Sequence, residues 1–547
     1  MLEGYFALLF LISSIYGYSG LLKKALINSK EIFNLDYVYG VLFLSVISIF
    51  LNLFFPLKYF SLFFLFLGFF LFIIFLFLKY FKLNFYILFL VSFYVLYISH
   101  GQGIQYDSQL YHLQLLQLSF NQKVIFGIGN LQPHYAMNSS WHSMLGLINF
   151  SFNKIDWINF ANLSIFTIFI TEALNKFFLK KKKLSSLFLI LSVLYIVSYS
   201  FFHPFGNGTI LNMLGSPEVD LPASIFFIIT VYLLIKYYEE PKIETLRLIL
   251  VSSFLLITIK ISYIGVFLLL LYAIFYKKNN FYIFEKIYWF LFFGSVLWFT
   301  KSIVYSGCFI FPASFTCIPT FWALNIDEIK SYSNIVQSFA RDTPLRLNFT
   351  DFEYTLNSWK WLIPWIKEYF LKTEFLLISF LITFAISIYY IFYFFYNKTK
   401  INSLYKNFYF HIFVLILFNL LIWFKAPEIR FGYGSIISLV CFLMSYFIFD
   451  RFKNYSINYK IFNLIILVIF SSIFIKNFDN IKNFQEGSFI RNFNYMDFEN
   501  IYSVNGYKVY KPIKDNFCNN FQGFCTYQGF KVNIDKKNSY IFMKKIN

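Results

Sequence analysis

Apolar stretches of bilayer-crossing length recur from one end of the chain to the other. Such a helix needs about 20 mostly apolar residues, and about fourteen segments meet that measure. Their cores are 3–20, 36–55, 60–78, 84–99, 157–176, 184–202, 222–237, 246–260, 262–276, 287–303, 375–396, 408–424, 431–449 and 461–476. The helical hairpin near Lys260 is the weakest of these. With 59% hydrophobic and 13% charged residues, the 547-residue chain is too apolar for a soluble globular surface. These features predict an all-α polytopic membrane protein with about 14 transmembrane helices and a small mixed α/β or β-rich extracytoplasmic C-terminal domain. The 81 phenylalanines would also follow from AT-rich coding, so aromatic content alone points to no ligand. Residues 1–20 carry Glu3 and lack a basic leader and a small-residue cleavage site, so they read as a retained helix.

The net charge of +19 is explained by orientation in the bilayer, and no nucleic-acid partner is expected. Lys23, Lys24, Lys30, Lys79, Lys82, Lys176, Lys180 to Lys183, Lys277, Lys278, Lys398, Lys400, Arg451 and Lys453 fall on one side, which becomes the cytoplasm. The expected divisions are N-terminal transmembrane helices 1–99, a first large extracytoplasmic loop 100–156, a central transmembrane core 157–303, an extracytoplasmic loop 304–374, C-terminal transmembrane helices 375–476 and an extracytoplasmic C-terminal domain 477–547. In this register 138–150 lies along the membrane or re-enters it, because a crossing there would flip the lysines at 180–183 outward. Cys308 and Cys317 share one predicted outer loop, and Cys518 and Cys525 the predicted outer tail. Two local disulfides are expected, with free thiols or cross-pairing as alternatives; neither pair has the spacing of a zinc knuckle.

The stretch from Gly103 to Trp141 holds two of the six histidines, an aspartate and several amides between strongly apolar regions, and a third histidine, His142, follows directly. A polar island of this kind is where chemistry or binding is sought in a membrane protein. If the segment is α-helical, Asp107, Tyr111 and Gln114 share one face, with Ser108 and His112 adjacent. Asp107 can accept the proton of an acceptor hydroxyl, and capping the helix that starts near Ser108 is the alternative. His112 suits a proton relay, a phosphate contact or a hydrogen-bonded interfacial position; His134 and His142 read as structural or sugar-contacting. Glu218 and Asp220 in GSPEVDLPA open another predicted helix, a position that helix initiation before Pro222 also explains. Lys260 and Arg430 are the best-placed cations: Lys260 must snorkel or pair, and Arg430 offers a fork for phosphate or pairs with Glu428. Lys301 is a third option that would simply snorkel. Trp322, Trp359, Trp361 and Trp365 fit an interfacial belt or sugar stacking, and the tail sequence YSVNGYKVYKPI carries a hairpin signal. No nucleotide-binding glycine loop is present.

The segments YDSQLYHLQ, GIGN, NSSW, GSPEVDLPA, SGC followed by FP and TC, APEIRFGYG and FCNNFQGFC resemble, together, an uncharacterised family of large bacterial integral membrane proteins. That family is similar in plan to the GT-C glycosyltransferases, membrane enzymes that transfer a sugar from a polyprenyl-phosphate carrier. The resemblance implies a GT-C-like core in the bacterial inner membrane, a polyprenyl-phosphate-linked sugar as donor, and a glycan or lipid-linked acceptor, for cell-surface glycan assembly. Asp107 matches the acidic residue of the first outer loop and would be the catalytic base, with His112 beside it. Tyr111, Gln114, Glu218, Asp220, Lys260 and Arg430 would bind substrate, the last two at phosphate. Ser108 stands where the usual second acid would be, so no metal ligand is assigned, although a divalent metal stays open. A transporter or flippase of lipid-linked oligosaccharide, or a glycan polymerase or ligase, is the alternative; the flippase would favour mid-membrane charges and internal repeats.

Overall fold

The computed structural model describes residues 2–29, 31–99, 105–149, 151–152, 155–177, 183–202, 213–276, 285–342, 348, 350–368, 404–452, 471, 497–513, 516–519, 521–527 and 531–545. The long helices are α1 (Leu2–Leu22), α2 (Tyr37–Phe54), α3 (Ser61–Phe77) and α4 (Phe85–Ile98). Two shorter ones come next, α5 (Leu113–Asn121), which a π-helical turn Ser108–His112 leads into, and α6 (Ser140–Leu147). Then come α7 (Phe160–Phe177), α8 (Leu184–Phe202), α9 (Asp220–Glu239), α10 (Ile243–Ile259), α11 (Val266–Tyr276) and α12 (Lys286–Ser306). The last are α13 (Ile326–Arg341), the single turns α14 (Phe352–Thr355) and α15 (Leu362–Ile366), α16 (Leu404–Trp423) and α17 (Ile429–Phe452). Helices therefore occupy the expected apolar segments wherever these are described. The segments 375–396 and, but for Ser471, 461–476 lie outside the described residues.

Five helices among the described residues are long and apolar enough to cross a membrane: Leu2–Ile27, Asn34–Phe54, Asp220–Glu239, Lys286–Ser306 and Ile429–Phe449. Others, such as Ser61–Phe77 and Phe85–Ile98, are apolar but shorter. The 14 residues of α4 reach about 21 Å at the α-helical rise, short of the roughly 30 Å hydrocarbon layer. The chain is thus predominantly helical and of membrane type, with fewer full-length crossings among the described residues than the apolar segments suggested.

Packing follows composition. Helix α9 is apolar on all sides and is buried accordingly, against α7, α8, α10 and α17. Helices α1 and α3 meet where Gly17 faces Gly68; a Cβ on Gly17 would fall 1.9 Å from the Gly68 carbonyl oxygen, so no larger residue permits this approach. Helix α6 is entirely buried against α2, α5 and α10, with Trp141 wholly enclosed. Residues 140–147 are therefore internal to the bundle and do not lie along its surface.

The tail forms strands. β1 (Ser151–Phe152) pairs β2 (Ile155–Asp156), while in the tail β3 (Phe498–Val504) and β4 (Tyr507–Pro512) form an antiparallel hairpin. Asn505 and Gly506 turn that hairpin with φ of 48° and 82°, the geometry for which Asn-Gly is suited. β5 (Phe524–Cys525) adds parallel to β4, and β6 (Val532–Lys537) pairs β7 (Tyr540–Lys545). Disulfides join Cys308 to Cys317 and Cys518 to Cys525, so both pairings are local, and Cys441 is free and buried.

The tail packs directly on the polar island. Val509, Phe524, Val532, Ile534, Ile541 and Met543 share one buried cluster with Leu110, Tyr111, Leu115, Ile128 and Tyr135. Phe126 donates to the Ile541 carbonyl at 2.9 Å and accepts from Met543 N–H at 2.8 Å. Gly127 makes that contact possible: its φ is +68°, and a Cβ there would stand 2.3 Å from the Met543 carbonyl oxygen.

Candidate functional site

Three helix ends bring the charges together. Asp220 begins α9, Lys260 immediately follows α10, and Arg430 lies in the first turn of α17. Since α9 and α10 run in opposite directions across a short connection, the start of one and the end of the other fall at the same end of the bundle. Asp107 and His112, on the segment after α4, join them there.

Arg430 is the centre of this arrangement. Its Nη1 lies 2.6 Å from Asp107 Oδ2, and its Nε 3.9 Å from Asp220 Oδ2. Lys260 Nζ pairs with the other oxygen of Asp220 and sits 3.9 Å from the centroid of the Phe431 ring. Asp107 makes no capping bond to the helix after it; the guanidinium takes its carboxylate instead. Burial favours the protonated form of Asp107, but Arg430, His112 and His134 together outweigh it and hold the carboxyl below its ordinary range.

Beside this group Glu218 is buried to 1% exposure. Its Oε2 is 3.3 Å from His112 Nε2, and its Oε1 accepts from Ser108 at 3.1 Å. Ser216 in turn donates to Ser108 at 2.7 Å. The loop that presents Glu218 is fixed by Asn162 of α7, whose Nδ2 donates to the carbonyls of Met213, Ser216 and Glu218 at 3.1, 2.7 and 3.0 Å. Trp141 donates to the Asn162 side-chain oxygen at 3.1 Å, tying α6 to the same point.

The expected site residues thus divide. Asp107, His112, Glu218, Asp220, Lys260 and Arg430 are joined by ion pairs and adjoining contacts at one end of the bundle. Gln114 is not among them: its Nε2 donates 2.6 Å to the Gly523 carbonyl and anchors the tail. The reason is the π turn at Ser108–His112, which fits an extra residue into the turn and rotates the later side chains away from the face that α-helical spacing assigned. Tyr111 packs in the apolar cluster, its ring centroid 4.8 Å from that of His134. The two cations expected at phosphate have acidic partners. Lys260 is engaged by Asp220, and Arg430 by Asp107 with Asp220 at 3.9 Å, so two aspartates answer these two cations.

The histidines continue the network inward. The His112 and His142 ring centroids are 4.4 Å apart, and Lys301 Nζ donates to Ser143 Oγ at 2.8 Å. Burial, with His112 and Lys301 nearby, holds the His142 pKa well below its ordinary value. His134 Nδ1 lies 3.2 Å from the Tyr527 hydroxyl, and burial lowers its pKa to about 4. Ser216 and Asn162 were missed in the sequence. Only Asn162 left a signal there, as an amide among the apolar residues that open α7.

No group of three or more His, Cys, Asp or Glu side chains is placed to hold a metal ion among the described residues. Asp107, Asp220 and Glu218 are each taken by a cation or hydroxyl donor, so the donor set does not fit a divalent metal. The chain belongs to the family described as "Domain of unknown function (DUF8201)", whose family model matches residues 4–437. No curated protein and no solved structure matches the chain.

Proposed function

We propose that the chain is a multi-pass enzyme of the bacterial inner membrane with a GT-C-like core. It transfers a sugar from a polyprenyl-phosphate-linked donor to a glycan or lipid-linked acceptor at the outer face, for cell-surface glycan assembly. The observation supporting this reading is that Asp107, held by Arg430, sits with Glu218, His112, Asp220 and Lys260 where three helix ends meet beneath the tail. Charges gathered at one end of a bundle suit chemistry at a membrane face better than a path through mid-membrane.

In the reaction the acceptor oxygen forms a bond to the sugar C1 as the bond from C1 to the donor phosphate breaks. The acceptor proton passes to Asp107, and the bonding electrons leave with the phosphate. Arg430 keeps Asp107 ionised and therefore ready, but it also makes the carboxylate a weak base. A weak base serves when positive charge at C1 has already acidified the incoming hydroxyl. Glu218 orients His112, and Lys260 keeps Asp220 from competing for Arg430.

The test is reconstitution of the full chain with labelled polyprenyl-phosphate sugars, comparing it with Asp107→Asn. Transfer that falls by about a hundredfold or more supports the base assignment. Unchanged transfer removes Asp107 from the chemistry, and lipid movement between leaflets without any transfer makes the protein a flippase.

A further inference from the structure

A phosphate-linked donor needs a cation, and the two expected ones are neutralised by aspartates. Two lysines are buried among the described residues, Lys23 at 3% and Lys301 at 4% exposure. Lys23 pairs with Asp36 at 2.5 Å. Lys301 has no carboxylate in salt-bridge range among the described residues; its contacts are the Ser143 hydroxyl and, at 5.2 Å, the centroid of the Tyr305 ring. It stands near the C-terminal end of α12, where a lysine can snorkel to the interface, yet it turns inward. An ammonium buried in this way without a counter-ion is costly in a membrane protein, and such residues are kept for function.

The surface it meets is rich in unused donors. Ser139 caps the start of α6 and His142 and Ser143 lie in its first turn, an end of the helix that the bond from Lys301 to Ser143 ties to α12; the Ser143 hydroxyl itself donates to the Ser139 carbonyl at 3.1 Å. Ser139 Oγ and both His142 ring nitrogens are buried without a hydrogen-bond partner. Lys301 retains two further N–H groups, and a neutral imidazole and a hydroxyl contribute one donor each. Buried groups left in this state call for a partner, and an oxyanion with several acceptor oxygens meets all of them together.

We infer that Lys301, Ser139 and His142 form a phosphate-binding site between α6 and α12, with Ser143 positioning Lys301. Its assignment to the phosphate of a lipid-linked donor rests on the function proposed above. The site communicates with the carboxylate cluster through His142 and His112, and His112 reaches Glu218 at 3.3 Å. Phosphate held at Lys301 directs the attached sugar toward the carboxylates and leaves Arg430 with Asp107.

The experiment measures binding of polyprenyl phosphate, of the unphosphorylated polyprenol and of inorganic phosphate to the full chain in nanodiscs. The wild type, Lys301→Met, Lys301→Arg and Ser139→Ala are compared. The expected result is binding of polyprenyl phosphate but not of the alcohol, weakened about tenfold or more in Lys301→Met and largely restored in Lys301→Arg. Competition by inorganic phosphate assigns the site to the phosphate group alone, and lack of competition to a lipid headgroup; each supports it. Lys301→Met removes an uncompensated buried charge, so it should fold at least as stably as the wild type. If it does not fold, Ser139→Ala decides, and undiminished binding there overturns the site. Undiminished binding in a folded Lys301→Met does the same. Lys301-dependent binding in a chain without transfer activity keeps the site and overturns the glycosyltransferase reading. Transfer persisting in Lys301→Met overturns the site and keeps that reading.

Discussion

Arg430 meets Asp107 at 2.6 Å, joining the first turn of α17 to the segment after α4. The two partners are not equivalent, because Arg430 also lies 3.9 Å from Asp220 whereas Asp107 has Arg430 as its ion-pair cation among the described residues. Arg430→Met leaves the Asp107 carboxylate half-buried without a counter-charge and should cost about 3–5 kcal/mol. Asp107→Asn leaves Arg430 with Asp220 and should cost about 1–2 kcal/mol. Unfolding in detergent measures both, and equal losses would show that the guanidinium is not shared.

Glu218 separates charge from hydrogen bonding. Glu218→Gln retains an acceptor for Ser108, while Glu218→Ala deprives both Ser108 and His112 of a buried partner. The alanine variant should be less stable than the glutamine variant by about 1–3 kcal/mol in the same unfolding measurement. If the two unfold together, the Ser216–Ser108–Glu218 chain does not stabilise the fold.

The contact between the tail and the polar island depends on two small features. Gly127→Ala places a Cβ against the Met543 and Trp322 carbonyls at a left-handed backbone position, at a cost of about 1–3 kcal/mol. Gln114→Leu removes the bond to Gly523. Limited proteolysis should cut 497–545 faster in both variants, and an unchanged cleavage rate would show that the tail is held elsewhere.

Protonation should loosen the same contact. His134 has a folded-state pKa of about 4 against an ordinary 6.5, so between these values the unfolded chain binds the extra proton. The stability contributed by neutral His134 is complete above pH 6.5 and declines as pH falls toward 4. The slope is at most about 1.4 kcal/mol per pH unit for one proton. His134→Gln should flatten that part of the profile, and a profile identical to wild type would assign the acid sensitivity to another group.

The apolar segments placed the helices well because helix formation in lipid is a local matter of backbone bonds satisfied within one segment. The Asn505-Gly506 turn was legible for a similar reason, its geometry being set by two adjacent residues. Gln114 shows where periodicity failed. A π turn at Ser108–His112 changes the register, and α-helical spacing does not contain it. Lys301 failed differently, since a lysine near a helix end is compatible with snorkelling or burial, and the neighbouring helix decides between them.

From residue order alone came the helical membrane-type chain, the strand-forming tail, and the short list of polar residues too costly to be incidental in so apolar a context. Tertiary structure alone decided which of them are partners: Arg430 with Asp107, Lys260 with Asp220, Glu218 with His112, and Lys301 with no acid among the described residues. The physical reason is distance. Whether a charge is answered depends on side chains brought within a few ångströms from helices far apart in the chain, and no local pattern records which helix ends will meet.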